Sequence, residues 1–173
     1  MALQTKTYTV GKTEWDSWYT GYQLELTLTE ESVNTAENYS TISYVFKIKV
    51  GNNAYEAYTP YEVILNGVSV SKGVPYFYLA KDSEKILATG TINVTHGVDG
   101  TYDMGIKAYI EDSYNADNSA NMYAPPPMTI TDTMVLTPIS RALPISFNGQ
   151  EVLKVVFNGQ PVTHLVYNGS NLF

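Results

Sequence analysis

His96 and His164 are the only two side chains of this chain that titrate near neutral pH in ordinary surroundings. His96 lies in the run His96-Gly97-Val98-Asp99-Gly100, close to Asp99, where a turn-stabilising hydrogen bond is its expected task. His164 follows Thr163, with Lys154 polar in the preceding stretch, and reads as a solvated or interface residue. Cysteine is absent, which excludes disulfides, thiolate nucleophiles, Cys-ligated zinc and iron–sulfur clusters. Two histidines are too few for a multi-His metal site. No G-x-S-x-G elbow occurs, and no Gly-rich phosphate cradle. Glycoside hydrolysis needs two carboxylates about 5–10 Å apart across a cleft. Glu14 and Asp16 flank Trp15, and Glu30 and Glu31 end a strand, so all four read as solvated acids. Asp112, Asn115, Asp117 and Asn118 supply oxygen atoms of the type that suits calcium. They lack the EF-hand spacing and its terminal Glu, so an unliganded loop is expected. The chain is expected to be no enzyme and to use no metal and no cofactor.

Aromatic rings offer a different chemistry. Trp15, Trp18, Tyr19 and Tyr22 cluster, Tyr55, Tyr58 and Tyr61 follow, and then Tyr76, Phe77 and Tyr78. Flat rings suit sugar faces and protein interfaces because they bury area at small entropic cost. Trp15, Trp18 and Tyr19 are the candidate glycan or partner contacts. Tyr22 and Tyr44 belong to the core on strict alternation. With 17 acidic and 10 basic residues the formal net charge is −7. That argues against nucleic-acid and anionic-membrane partners, which need a basic face. The opening MALQTKTYTV has no apolar core of a secretory leader, and no run reaches the about 18 apolar residues of a membrane span.

These residues must be positioned by strands. Tyr22, Leu24, Leu26 and Leu28 alternate with Gln23, Glu25, Thr27 and Thr29, the period-two signature of a half-buried strand. Ile42, Tyr44, Phe46, Ile48 and Val50 repeat it, and so do Tyr102, Met104, Ile106, Ala108 and Ile110. Ile86, Ala88, Gly90, Ile92 and Val94 precede that last run across Asp99-Gly100, which predicts a hairpin pairing 86–95 with 101–110. Asn66-Gly67 predicts a second hairpin, joining Tyr61–Leu65 to Val68–Ser71. Shorter strands are expected at Thr5–Val10, Ala54–Tyr58, Pro75–Leu79 and Thr129–Leu136, with one helical turn in Glu30–Glu37. Frequent turn signals between short strands point to an all-β fold, an antiparallel β-sandwich of immunoglobulin-like or jelly-roll-like type.

The sandwich is expected over 1–137, with Glu111–Pro127 as a long surface loop and 138–143 as a linker. Residues 144–173 form an internal repeat: FNGQEVLKVV, FNGQPVTHLV and YNGSNLF, starting at 147, 157 and 167. Each unit carries an aromatic followed by Asn-Gly, the strongest short hairpin signal. A small C-terminal β-meander follows, too thin to bury its own apolar residues. Val155, Phe157, Val162, Leu165 and Tyr167 are its candidate assembly residues.

TLTEESVNTAENYSTISYVFKIKV, GTINVTHGVDGTYDMGIKAYI and MVLTPISRA together resemble β-sandwich structural proteins of tailed phages of Gram-positive bacteria. The shared features are an acid-Ser-x-Asn stretch (Glu31 to Asn34), the His96-to-Gly100 turn, and a closing Leu136–Ala142 phrase in which Pro138 and Ser140 stand at altered positions. The resemblance covers about Leu24 to the C terminus. It implies a non-enzymatic virion protein of the tail or baseplate, made in the bacterial host cytoplasm, that self-assembles and docks on other virion proteins. Two alternatives share the sandwich: a receptor- or carbohydrate-binding module at the virion tip, which would contact a host cell-wall glycan, and a head decoration or fibre protein.

Overall fold

The computed structural model describes residues 3–11, 21–51, 55–117 and 124–139, and the strand backbones within 145–147, 150–152, 156–157, 160–161, 166–167 and 170–171. Ten strands build the body: β1 (Thr5–Gly11), β2 (Tyr22–Asn34), β3 (Tyr39–Val50), β4 (Tyr55–Tyr58), β5 (Tyr61–Leu65), β6 (Val68–Gly73), β7 (Tyr76–Leu79), β8 (Ser83–Thr95), β9 (Asp103–Ile110) and β10 (Met128–Val135). One antiparallel sheet runs β1-β2-β3-β8 and the second β10-β9-β5-β6, with β4 and β7 as a separate pair. The fold is all-β and sandwich-like, as the alternation requires.

Leu24, Leu26 and Leu28 of β2 and Ile42, Phe46 and Ile48 of β3 are fully buried. Val63, Leu65, Met104, Ile106, Ala108 and Ile110 cover them from the second sheet, and Tyr55, Ala57, Phe77 and Leu79 from the β4–β7 pair. Outside, Thr5 meets Thr29 and Thr7 meets Thr27 at 3.1 Å, and Lys47 and Lys49 flank Glu25 at 3.0 and 2.5 Å. Such cross-strand pairs favour this register on the solvent face. The Asn66-Gly67 hairpin forms as predicted, with φ of 54° and 75° at its two turn residues.

The expected 86–95/101–110 hairpin does not form. β8 pairs with β3, whereas β9 pairs with β5 and β10, so Asp99-Gly100 turns the chain from one sheet to the other. Other segments take the backbone groups of this crossing. His96 N donates to Asn38 O, Leu136 N to Tyr102 O and Ile139 N to Gly100 O. Gly100 has φ 78°, and a Cβ there would stand 1.8 Å from Ile139 O. Apolar faces on both strands oppose each other across the core instead of lying side by side.

Two smaller expectations also change. Glu30–Glu37 makes no helical turn: β2 continues to Asn34 and a turn at 35–38 leads into β3. A bulge lies between Phe46 and Lys47 against β8, where Phe46 meets Ala88 and Lys47 meets Ile86. Leu87 is the extra residue, the alternation shifts there, and Ile86 ends 53% exposed.

The C-terminal units are separate hairpins: β11 (Ile145–Phe147) with β12 (Gln150–Val152), β13 (Val156–Phe157) with β14 (Gln160–Pro161), and β15 (Val166–Tyr167) with β16 (Ser170–Asn171). Each spans one Asn-Gly dipeptide. Among the described residues the repeat thus forms three short antiparallel hairpins, one to each unit.

Candidate functional site

Two polar constellations stand out. The first is buried. Continuing the inward alternation of β2 past Leu28 brings Glu30 onto the core face, and the same logic on β3 brings Ser40 there. Both are fully buried, and His96, at the start of the sheet crossing, is 5% exposed. Ser40 Oγ donates to Glu30 Oε1 at 2.6 Å and lies 2.8 Å from His96 Nε2. His96 Nδ1 donates to Gly100 O at 2.9 Å. Thr137, just beyond β10, closes the cluster: its Oγ1 donates to Glu30 Oε2 at 2.5 Å and its N–H reaches both carboxylate oxygens at 3.2 Å. Asn38 Nδ2 donates to His96 O at 2.9 Å.

A buried carboxylate is costly unless its lone pairs are satisfied. Here strand β2, strand β3, the crossing loop and the segment after β10 all converge to satisfy it. Ser, His and Glu meet, but not as a nucleophilic triad. In a triad the carboxylate orients the imidazole through Nδ1; here it holds the serine, and Nδ1 faces a backbone carbonyl.

This geometry corrects one expectation and bears out another. Glu30 is not a solvated strand end, although its neighbour Glu31 is exposed and accepts a bond from Ser43. His96 does make the expected turn-stabilising hydrogen bond, to Gly100 O, while Asp99 accepts from Thr101 N and Oγ1 at 3.0 and 2.9 Å, bonds that hold its carboxyl below the usual carboxylate range. Period two could have found Glu30 and Ser40, since both fall in phase with their apolar neighbours. Nothing in the local sequence announces Thr137 as their partner.

The second constellation is open. On the β4–β7 pair, Tyr55, Ala57, Phe77 and Leu79 turn inward, and Tyr58, Tyr76 and Tyr78 lie on the other face. Tyr76 and Tyr78 are 47% and 62% exposed. Tyr58 and Tyr114 exchange backbone bonds of 2.9 and 3.0 Å, which seats the Tyr114 ring 5.4 Å from that of Tyr58 at 21°. Tyr76 lies 4.7 Å from Tyr58 on its own strand pair. A row Tyr76–Tyr58–Tyr114 results. Partial desolvation and a bond to Glu56 raise the Tyr76 phenol above its ordinary value.

Beside the row, Thr59 N donates to Pro75 O and Glu111 N to Pro60 O, both at 3.0 Å. These bonds draw three segments around an open groove of about 380 Å³, lined among others by Glu62, Lys72, Val74, Tyr109 and Glu111. Tyr109 donates its hydroxyl to Glu62. Bonds from Ser69 and Tyr109, with Lys72 and Lys107 nearby, hold Glu62 below the ordinary carboxylate value, and its bond to Glu62 raises Tyr109.

Trp15, Trp18 and Tyr19 lie outside the described residues, as do Val155, Val162, Leu165 and His164. Phe157 is in β13 and Tyr167 in β15. Of the calcium-type loop, Asn118 lies outside the described residues; among those described, no group of three His, Asp or Glu residues could hold a metal ion.

An antiparallel sandwich sealed at one end by a polar cluster, with tyrosines open elsewhere, is a scaffold-and-surface type of β module. The chain belongs to a siphovirus protein family: residues 13–160 match the family model described as "Siphovirus protein of unknown function (DUF859)". It is therefore a protein of a tailed phage. No curated protein and no solved structure matches it.

Proposed function

We propose that this chain is a non-enzymatic structural protein of a siphovirus virion, in the tail or baseplate, where it self-assembles and docks on other virion proteins. One observation carries the reading. Glu30, Ser40 and His96, the one Ser–His–carboxylate grouping among the described residues, are buried and bonded to one another, where they hold four chain segments together. The Asn-Gly hairpins of 144–173 are the natural ties to a neighbouring subunit, because isolated two-stranded hairpins are marginal in water.

Antibody labelling of purified virions, with light scattering on the full chain and on a 1–143 truncation, tests this. Tail-end labelling and a smaller oligomer for the truncation are expected. Absence from virions, or hydrolysis of a glycan, peptide or ester that is lost in His96→Ala, would overturn it. The tyrosine row favours a second reading, a carbohydrate-binding module at the virion tip.

A further inference from the structure

We infer that the Tyr76–Tyr58–Tyr114 row and the groove beside it form one saccharide site, which takes a neutral glycan of the host envelope. The inference deepens the second reading and rests on the virion assignment only for the source of the sugar.

Three features lead to this ligand class. The rings come first. Tyr58 has Tyr76 on one side and Tyr114 on the other at 4.7 and 5.4 Å, and Tyr76 keeps 47% of its surface exposed. Aromatic rings receive the C–H face of a pyranose, and phenol hydroxyls both donate and accept. The row is held by strand pairing and by two backbone bonds at Tyr114, so binding would order little that is not already ordered.

The groove comes second. Its volume of about 380 Å³ falls in the range of small-ligand clefts, roughly 300–1,000 Å³. Its walls mix carboxylates (Glu62, Glu111), an ammonium (Lys72) and a phenol (Tyr109) with the apolar Val74. A sugar hydroxyl, which donates and accepts at once, matches such a lining. A protein partner needs a broader face, about 800 Å² on each side with an apolar centre. The groove is lined by eight residues, Pro60, Tyr61 and Val74 among them, far fewer than such a face needs.

Charge comes third and selects among glycans. The carboxylates of Glu56, Glu62 and Glu111 exceed the ammonium groups of Lys72 and Lys107 by one negative charge here, and the whole chain carries −7. A phosphate-bearing polymer would be repelled. An uncharged hexose or N-acetylhexosamine chain would not.

The experiment uses the full chain and two fractions from the envelope of a strain that propagates the virus, the neutral polysaccharide and the anionic phosphate-bearing polymer. Binding is read by saturation-transfer NMR and by titration of intrinsic fluorescence. Expected is saturable binding of the neutral fraction, at least tenfold weaker in Tyr76→Ala and Tyr114→Ala and only slightly weaker in Tyr76→Phe, which keeps the ring. Ile86→Ser, on the other sheet, should bind as the parent does. Melting curves and circular dichroism identify any variant that has lost its fold, in which case Lys72→Ala, at the groove wall, takes its place. No binding of the neutral fraction, preference for the anionic polymer, or undiminished binding in folded site variants would each overturn the inference. Incorporation into particles is scored separately, so a chain that enters virions without binding sugar defeats this proposal and leaves the virion reading standing.

Discussion

The buried polar cluster and the tyrosine face are built from the same kind of material, side chains able to do chemistry, yet they differ in access. Glu30, Ser40 and His96 are enclosed, and their bonds run to one another and to the backbone. Tyr76 and Tyr78 stand in solvent on a short strand pair. A buried polar network that is fully satisfied specifies one arrangement of the chain, and leaving a member without its partner is expensive. An exposed ring contributes little to stability and remains available to a ligand. The comparison separates residues that determine shape from residues that determine contact.

The largest effect calibrates the scale. Leu26 is fully buried between the sheets, so Leu26→Asp should cost more than about 4 kcal/mol, an unpaired charge in the core. Denaturant unfolding measures it, and a milder loss would mean that the core is looser than its burial implies.

The comparison itself is tested next. Glu30→Ala removes the acceptor of Ser40 and Thr137, and should cost about 3–5 kcal/mol. Denaturant unfolding measures it, and a Glu30→Ala cost no larger than that of a surface change would remove the contrast between the two regions.

Glu25 gives an intermediate case, a carboxylate on the outer face. Burial works against its charge, but bonds from Lys49 and Lys47 outweigh burial and hold its pKa below the ordinary value. A depressed folded-state pKa stabilises the fold above the unfolded-state pKa, and the contribution disappears as pH falls through the folded-state value. Glu25→Gln should therefore cost at most about 1 kcal/mol near neutrality. The difference from the parent should close in acid. A gap that widens on acidification would reverse the assignment.

The smallest stability effect belongs to the tyrosine face. Tyr78→Ser should change stability by no more than about 0.5 kcal/mol. A large loss in thermal melting would make that face part of the core and weaken its case as a recognition surface.

How much of this was legible beforehand varies with the element. The β2 and β3 faces, the Asn66-Gly67 turn and the short strands follow from alternation and turn chemistry, which are local. The partner of β8 does not: Asp99-Gly100 gives a tight turn either within a sheet or between two, and only the contacts with Asn38 and Ile139 decide which. Glu30 looked solvated because an acid at a strand end usually is. Its place in phase with Leu24, Leu26 and Leu28 was the signal that outweighed its charge. The outward tyrosines of β4 and β7 follow from alternation once Tyr55 and Phe77 are known to face the core.

By itself, then, the sequence determines that this chain forms strands, where they turn, and which face of most of them is apolar, because these depend on neighbours one or two residues apart. Tertiary structure alone decides that residues 30, 40, 96 and 137 share one line of hydrogen bonds, and that residues 58, 76 and 114 form one row. Those meetings depend on which strands become neighbours, and that choice is made by the burial of whole faces against each other rather than by any local run of residues.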